Sequence, residues 1–296
     1  MEYNGTIYRP PVEANTFLIP VTEGCTHNSC TFCSMYKDIP FRMISLEEIE
    51  GFMKEVREAY GRYLDRTCRV YLVGADPFAL SAKRLLERID LINKYIPNTK
   101  TVTMYARTDN IMHKSDADLK ALKEAGVDDL YIGVECGLDD VLENLNKGYT
   151  SEETREQCSR LNAAGIRHCD LLMLGTAGKG RGMESAAASA ALENEIRPHK
   201  ILINTMSAFA GTKLDQDIAD GTFLQSTEKE NLEEEREFLS RLDLPDCYFW
   251  AVHPLDSVKI EGVLKDHKQQ MLDTLSYSIA HVDENRINRR SRTGTL

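Results

Sequence analysis

A strand-like run followed by a capped helix repeats along most of this chain, and the repeat restricts the fold more than any single motif. The runs Thr16-Phe-Leu-Ile-Pro-Val-Thr22, Arg69-Val-Tyr-Leu-Val73, Thr101-Val-Thr-Met-Tyr105, Leu130-Tyr-Ile-Gly-Val134, His168-Cys-Asp-Leu-Leu-Met-Leu174 and Lys200-Ile-Leu-Ile-Asn-Thr205 have the apolar, β-rich composition of buried strands. Between them Ser45-Leu-Glu-Glu48, Ser115-Asp-Ala-Asp118 and Thr150-Ser-Glu-Glu153 can open helices, because hydroxyl and carboxylate satisfy each other's end of a first turn. Further helices are expected over 81–95, 185–196 and 227–242, and Cys247-Tyr-Phe-Trp-Ala-Val252 is a seventh strand candidate. Strands alternating with helices at this pitch mean parallel βα units with right-handed crossovers. The fold expected is α/β, a partial (β/α)6 TIM-like barrel with an additional C-terminal strand and helix. An open doubly wound sheet competes, but its nucleotide fingerprint is absent after the first strand. The segments expected are an N-terminal extension over 1–15, the barrel over 16–215, a C-terminal extension capping its mouth over 216–282, and a flexible basic tail over 283–296.

Composition narrows the setting. Apolar residues make up 42% and charged residues 28%, near the values for a soluble globular protein. With no apolar window of membrane-spanning length and no signal-peptide pattern at the N-terminus, a cytoplasmic protein without a membrane partner is expected. The formal net charge of −11 has the wrong sign for gripping a phosphate backbone, so no nucleic-acid partner is expected. Without a secretory signal, the 8 cysteines read as thiols, metal ligands or redox groups rather than a disulfide framework.

In a parallel barrel the loops after the strands converge on one mouth, where ligands bind. That rim collects the loop from Cys25 to Cys33, then Gly74, Ala75 and Asp76, Tyr105 and Arg107, Glu135, Asn204 and Thr205, and His253. The first loop reads Cys-Thr-His-Asn-Ser-Cys-Thr-Phe-Cys. Its three thiolates suit either a zinc ion, with His27 as a fourth ligand, or three of the four irons of a cubane cluster. A structural zinc usually sits between two cysteine knuckles, which favours the cluster; three thiolates would leave one of its irons open. Cys68, Cys136, Cys158, Cys169 and Cys247 read as small buried hydrophobes. Asp76 before Pro77 reads as a ligand or as a turn residue. Glu135, in an apolar strand, needs a partner. Tyr105 reads as core or ligand, and His253 as a substrate contact, a proton donor or an ordinary strand-end histidine. The Gly178-Lys-Gly180-Arg-Gly182 run reads as a flexible turn, and Glu233-Glu-Glu-Arg-Glu237 as a solvated helix face.

Taken together these residues resemble the radical S-adenosylmethionine (SAM) superfamily, over about 16–215. Phe32, just before the third cysteine, corresponds to the family's aromatic residue near the adenine. Gly74-Ala75-Asp76-Pro77 stands where the family has a Gly-Gly-Glu motif. Leu130-Tyr-Ile-Gly-Val-Glu135-Cys-Gly137, followed by Leu145-Asn-Lys147-Gly148, is similar to a signature of oxygen-independent coproporphyrinogen oxidases and methylthiotransferases. Phe209-Ala-Gly-Thr212 is similar to the family's Pro-Gly-Thr turn. The resemblance implies a 4Fe-4S cluster on Cys25, Cys30 and Cys33, and SAM bound by Phe32, Gly74, Ala75, Asp76, Arg107, Glu135 and Lys147. Asp76 would take the SAM amino group and Lys147 or Arg107 its carboxylate; Lys147 also reads as a complement to a helix C-terminus.

There are departures. The family's usual spacing is Cys-x3-Cys-x2-Cys, whereas this loop is Cys-x4-Cys-x2-Cys. Asp76 is one methylene shorter than the usual glutamate. Asp170 lies one residue out of register with the ribose-binding aspartate of coproporphyrinogen oxidases, and an odd shift turns a strand side chain to the other face, so that role is not carried over. The expectation is an anaerobic enzyme, an oxidoreductase, lyase or transferase in outcome, that cleaves SAM to a 5′-deoxyadenosyl radical and takes a hydrogen atom from its substrate, with His253 and Tyr105 as catalytic candidates. Its partners would be a small or medium-sized organic substrate and an electron donor such as flavodoxin or ferredoxin. The competing classes are a non-catalytic iron-sulfur electron carrier and a zinc-stabilised binding protein.

Overall fold

A computed structural model describes residues 3–283. The basic tail expected over 283–296 lies outside the described residues except for Asp283. Eight strands follow one another in the sheet in chain order: β1 Phe17–Pro20, β2 Arg69–Val73, β3 Thr101–Ala106, β4 Leu130–Glu135, β5 His168–Leu174, β6 Lys200–Thr205, β7 Tyr248–Ala251 and β8 Ile260–Val263. The helices are α1 Leu46–Tyr60, α2 Ala82–Tyr95, α3 Thr108–Met112, α4 Asp116–Glu124, α5 Asp139–Asn144, α6 Ser151–Ala163, α7 Gly182–Ile196, α8 Lys213–Ala219, α9 Glu228–Arg241 and α10 Leu264–His281. This is the expected α/β order, with βα units followed by an extra strand and a last helix. The strand β8 was not foreseen; Ile260-Glu-Gly-Val263 is too short and mixed to stand out. None of the described helices is long and apolar enough to cross a membrane.

The chain forms two compact units. The first comprises the residues up to Asn28, Met35–Ile132 and Gln157–His168. In it β1 pairs parallel with β2, β2 with β3, and β3 with β4, with Tyr105 opposite Tyr131. Val70, Tyr71, Leu72 and Val73 are wholly buried, as befits a parallel strand covered on both faces. The helix α1 starts where Ser45 and Glu48 exchange backbone bonds in a capping box, and buries Ile49, Met53 and Val56 at helical spacing. At the strand starts, Glu13 is 2% exposed and bonded to Arg69, Thr16 and Tyr131, while Arg69 also reaches Asp129 at 2.6 Å. Burial works against the Glu13 carboxylate, but these donors outweigh it and hold its carboxyl below the ordinary range.

The second unit comprises Ser29–Ser34, Gly133–Glu156 and the chain from Cys169 onward. Here β5 pairs parallel with β6, β6 with β7, and β8 closes antiparallel on β7. Cys136, Cys158, Cys169 and Cys247 are buried, whereas Cys68, read from sequence as a buried hydrophobe, is exposed. It precedes β2, and its backbone carbonyl accepts from the N–H groups of Lys100 and Thr101, so its position is set by backbone pairing rather than by its side chain. The Glu233–Glu237 run is not a solvated face either. Glu234 and Glu235 are 3% and 1% exposed, because Asn231, Glu234, Glu235 and Phe238 share the inward stripe of α9.

Candidate functional site

In the first unit the site begins where β1 ends. Thr26, the residue after Cys25, donates to the Asp76 carboxylate from its backbone N–H at 3.2 Å and from its hydroxyl. Asp76 is wholly buried and opens the 3-10 turn Pro77–Ala79 without any side-chain bond to it. A plain Asp-Pro turn therefore does not account for this carboxylate, which reaches back to the cysteine loop instead. Gly74 lets the backbone close in: a Cβ there would fall 1.9 Å from the Thr22 hydroxyl oxygen. Ala75 follows, half-buried. Burial pushes the Asp76 carboxyl up, with the Thr26 bonds and the Arg107 charge opposing it. Burial and the Asp76 charge push the Cys25 thiol up to about 11.

Arg107 is 7% exposed and grips Asp109 through Nε and Nη2 at 3.0 and 3.2 Å. Its charge is felt at both Cys25 and Asp76. Tyr105 meets Tyr71 and Tyr131 in a cluster of tilted and edge-on rings, with centroids 5.9, 6.1 and 6.2 Å apart. Two of its members are wholly buried, so Tyr105 stands on an aromatic wall with part of its own surface open.

In the second unit Glu135 ends β4 with φ +65°, a left-handed backbone that costs a non-glycine residue on the order of 1 kcal/mol. Its carboxylate accepts from Lys147 Nζ at 2.8 Å. Lys147 is 4% exposed, and its Nζ lies 5.4 Å from the Tyr149 ring centre and 5.8 Å from that of Phe32, within cation–π reach of both. Gly133 makes room for the pair, since a Cβ there would sit 2.7 Å from Glu135 Oε1. Phe32 packs on Cys136, Val141, Leu145 and Met173. The backbone on either side of Cys30 is pinned: Thr31 N–H donates to the Leu145 carbonyl at 3.0 Å, and Asn146 Nδ2 to the Ser29 carbonyl at 2.8 Å.

His253 is half-buried, and its Nδ1 accepts from the Leu255 N–H at 3.2 Å, which leaves its hydrogen on Nε2. Burial and the nearby Lys259 lower its pKa to about 4, so the ring is neutral at physiological pH. Its own backbone N–H donates to Asp256, whose carboxyl burial pushes up to about 7.

The structure thus gathers Cys25 and Asp76 through Thr26 in one unit, and Phe32, Glu135 and Lys147 in the other. Cys30 and Cys33 belong to the second unit. Tyr105 belongs to an aromatic wall, and His253 is bonded to its own loop. Sequence reasoning missed Thr26, Gly133, Tyr149 and Glu234. For Glu234 and Glu235 a signal existed, because Leu232, Phe238 and Leu239 mark a buried stripe that includes Glu235 at the helical period. Thr26 offered none, since its bond to Asp76 spans 50 residues.

A model of the radical SAM superfamily matches residues 19–182, over half of the chain. The heme chaperone HemW of Bacillus subtilis (strain 168) is 25% identical over 161 residues, 52% of this chain and 41% of that protein. The chain therefore spans well under half the length of that curated relative. The crystal structure of methylornithine synthase (PylB) is similar with a TM-score of 0.54 at 16% identity, covering 93% of this chain and 83% of that one. Coproporphyrinogen III oxidase (HemN) from Escherichia coli is similar with a TM-score of 0.53 at 14% identity, over 76% of this chain and 51% of that one. At these identities the two structures speak for the shared partial-barrel fold. The chain belongs to the radical SAM superfamily, and is an enzyme of the kind that works with a 4Fe-4S cluster and S-adenosylmethionine.

Proposed function

We propose that Cys25, Cys30 and Cys33 hold the cluster, and that the enzyme uses SAM to take a hydrogen atom from a small or medium-sized organic substrate. The observation that carries this reading is the buried Asp76 carboxylate bound to Thr26, the residue next to Cys25. All three thiols are half-buried and outside any disulfide. Three thiolates on one short loop suit a cubane, with one thiolate at each of three irons, better than a structural zinc, which usually sits between two cysteine knuckles.

When bound, the cluster and SAM would supply one-electron reductive cleavage of the sulfonium and the hydrogen-abstracting chemistry that follows from it. The protein's part is binding and orientation. Asp76, with its charged form disfavoured by burial, gains from an ammonium placed beside it, since an opposite charge restores the carboxylate. Lys147, bonded to Glu135, and Arg107, bonded to Asp109, are the cations that would meet a carboxylate. Glu135, held by Lys147, offers its other lone pairs to hydroxyl or amino groups. Phe32 supplies an apolar face beside the last thiol. Neutral His253 presents a donor at Nε2, and Tyr105 an aromatic surface, to the substrate. A soluble electron donor such as flavodoxin or ferredoxin and a cytoplasmic, anaerobic setting go with this chemistry.

Protein purified without oxygen should be brown, contain iron and sulfide, and release 5′-deoxyadenosine from SAM with dithionite. Cys30→Ala should lose both iron and cleavage. A colourless protein with one zinc, or a brown one that never cleaves SAM, would sink the reading.

A further inference from the structure

Behind Glu135, within the second unit, lies a cavity of about 10 Å³, lined by Glu135, Leu172, Met173, Ser185, Ser189 and Glu234 among others. That is room for one water molecule, and the two carboxylates and two hydroxyls give it the polar partners a buried water needs. Glu234 comes from the inward stripe of α9 and accepts from the Gly175 N–H at 2.8 Å and from Ser185. Ser185 in turn meets the Cys136 thiol at 3.5 Å, one residue beyond Glu135. Ser189, one turn along α7, accepts from the Gly137 N–H at 2.9 Å. The left-handed turn at Glu135 is thus fixed from behind by hydroxyls of α7, with the carboxyl of α9 across the cavity.

We propose that Glu234 is a positioning residue for Glu135, acting through a single water in this cavity and through Ser185. The inference rests on the reading of Glu135 as a SAM-binding residue. When Glu234 is protonated, its carboxyl can donate through the water and draw electron density from Glu135. When it is ionised, it adds a second negative charge behind Glu135 and favours a cationic ligand in front of it. Burial pushes the Glu234 carboxyl up to about 7, so both states are populated near neutral pH. Ser185 from α7 and the Gly175 N–H after β5 bond to it, Glu135 with its partner Lys147 shares the cavity wall, and on its own helix stands Glu235, which Asp256 and Lys259 face. Proton release and SAM binding are then linked, and the linkage is reciprocal.

The test is the dissociation constant for SAM on the reconstituted holoenzyme between pH 6 and pH 8, for wild type, Glu234→Gln, Glu234→Asp and Glu135→Ala, with melting temperatures alongside. Wild type should bind on the order of fivefold more tightly at the upper end. Glu234→Gln should be flat at the low-pH value with a melting temperature no lower than that of wild type, and Glu234→Asp should regain a slope. A wild-type slope in Glu234→Gln, or no slope in wild type, overturns the proposal. Glu135→Ala binding SAM as wild type does would instead overturn the assignment of Glu135 beneath it. An electron-density map without water in the cavity would remove the bridge.

Discussion

Gly133 and Gly137 stand two residues either side of Glu135, and each is crowded by a different kind of neighbour. A Cβ at Gly133 would meet the mobile ends of Glu135 and Lys147, at 2.7 and 3.3 Å. A Cβ at Gly137 would meet the Ala188 carbonyl carbon at 2.5 Å and the Ser189 nitrogen at 2.6 Å, atoms of a helix backbone that cannot step aside. Gly133→Ala should therefore keep its melting temperature yet bind SAM at least tenfold less tightly, as about 1.4 kcal/mol lost from a displaced ion pair would give. Gly137→Ala should lose about 1–3 kcal/mol of stability by denaturant titration, the usual cost of forcing extra volume into packed structure. Equal losses of stability in both variants would contradict this division. Neither outcome was readable in the sequence, where the two glycines belong to one motif. The motif named Glu135 and Lys147, but what crowds each glycine is set by residues that only folding brings near.

Among elements, the helix starts were the most legible. Ser45, Ser115 and Thr227 all cap as their hydroxyl-x-x-carboxylate spacing predicts, because a capping box is a local structure. The inward faces of α7 and α9 were not legible, since they carry acids. Glu193 of α7 lies wholly buried against Asp170 of β5. Burial, with the Asp170 charge added, raises the Glu193 carboxyl well above 4.5. A raised carboxyl pKa means the folded state holds a proton that the unfolded state releases. Its stability contribution is full below about 4.5 and is lost as pH climbs towards the folded value, at about 1.4 kcal/mol per unit. Glu193→Gln, uncharged at every pH, should therefore gain on wild type in denaturant titrations as pH rises from 5 towards the folded value. A gap that is constant with pH would show that the pair does not titrate with unfolding.

For the molecule as a whole, the order of strands and helices followed from period and punctuation, and the family from three cysteines and the motifs at later strand ends. What stayed hidden were long-range polar bonds, because a sequence shows which residues need partners and not which partners they find. Glu13 is the clearest case: it sits in a segment read as a mere extension, yet its carboxylate meets Tyr131 across 118 residues and Arg69 across 56. Contacts so distant along the chain form only after large loops have closed, and loop closure slows folding. The strand-start end of the first unit should thus be sealed after the main folding barrier has been crossed. In a chevron experiment Glu13→Gln should speed unfolding and leave refolding almost unchanged, the pattern of a residue that is unstructured in the transition state. Glu13 would then act as a kinetic latch, setting how long the first unit stays folded while leaving its folding rate alone.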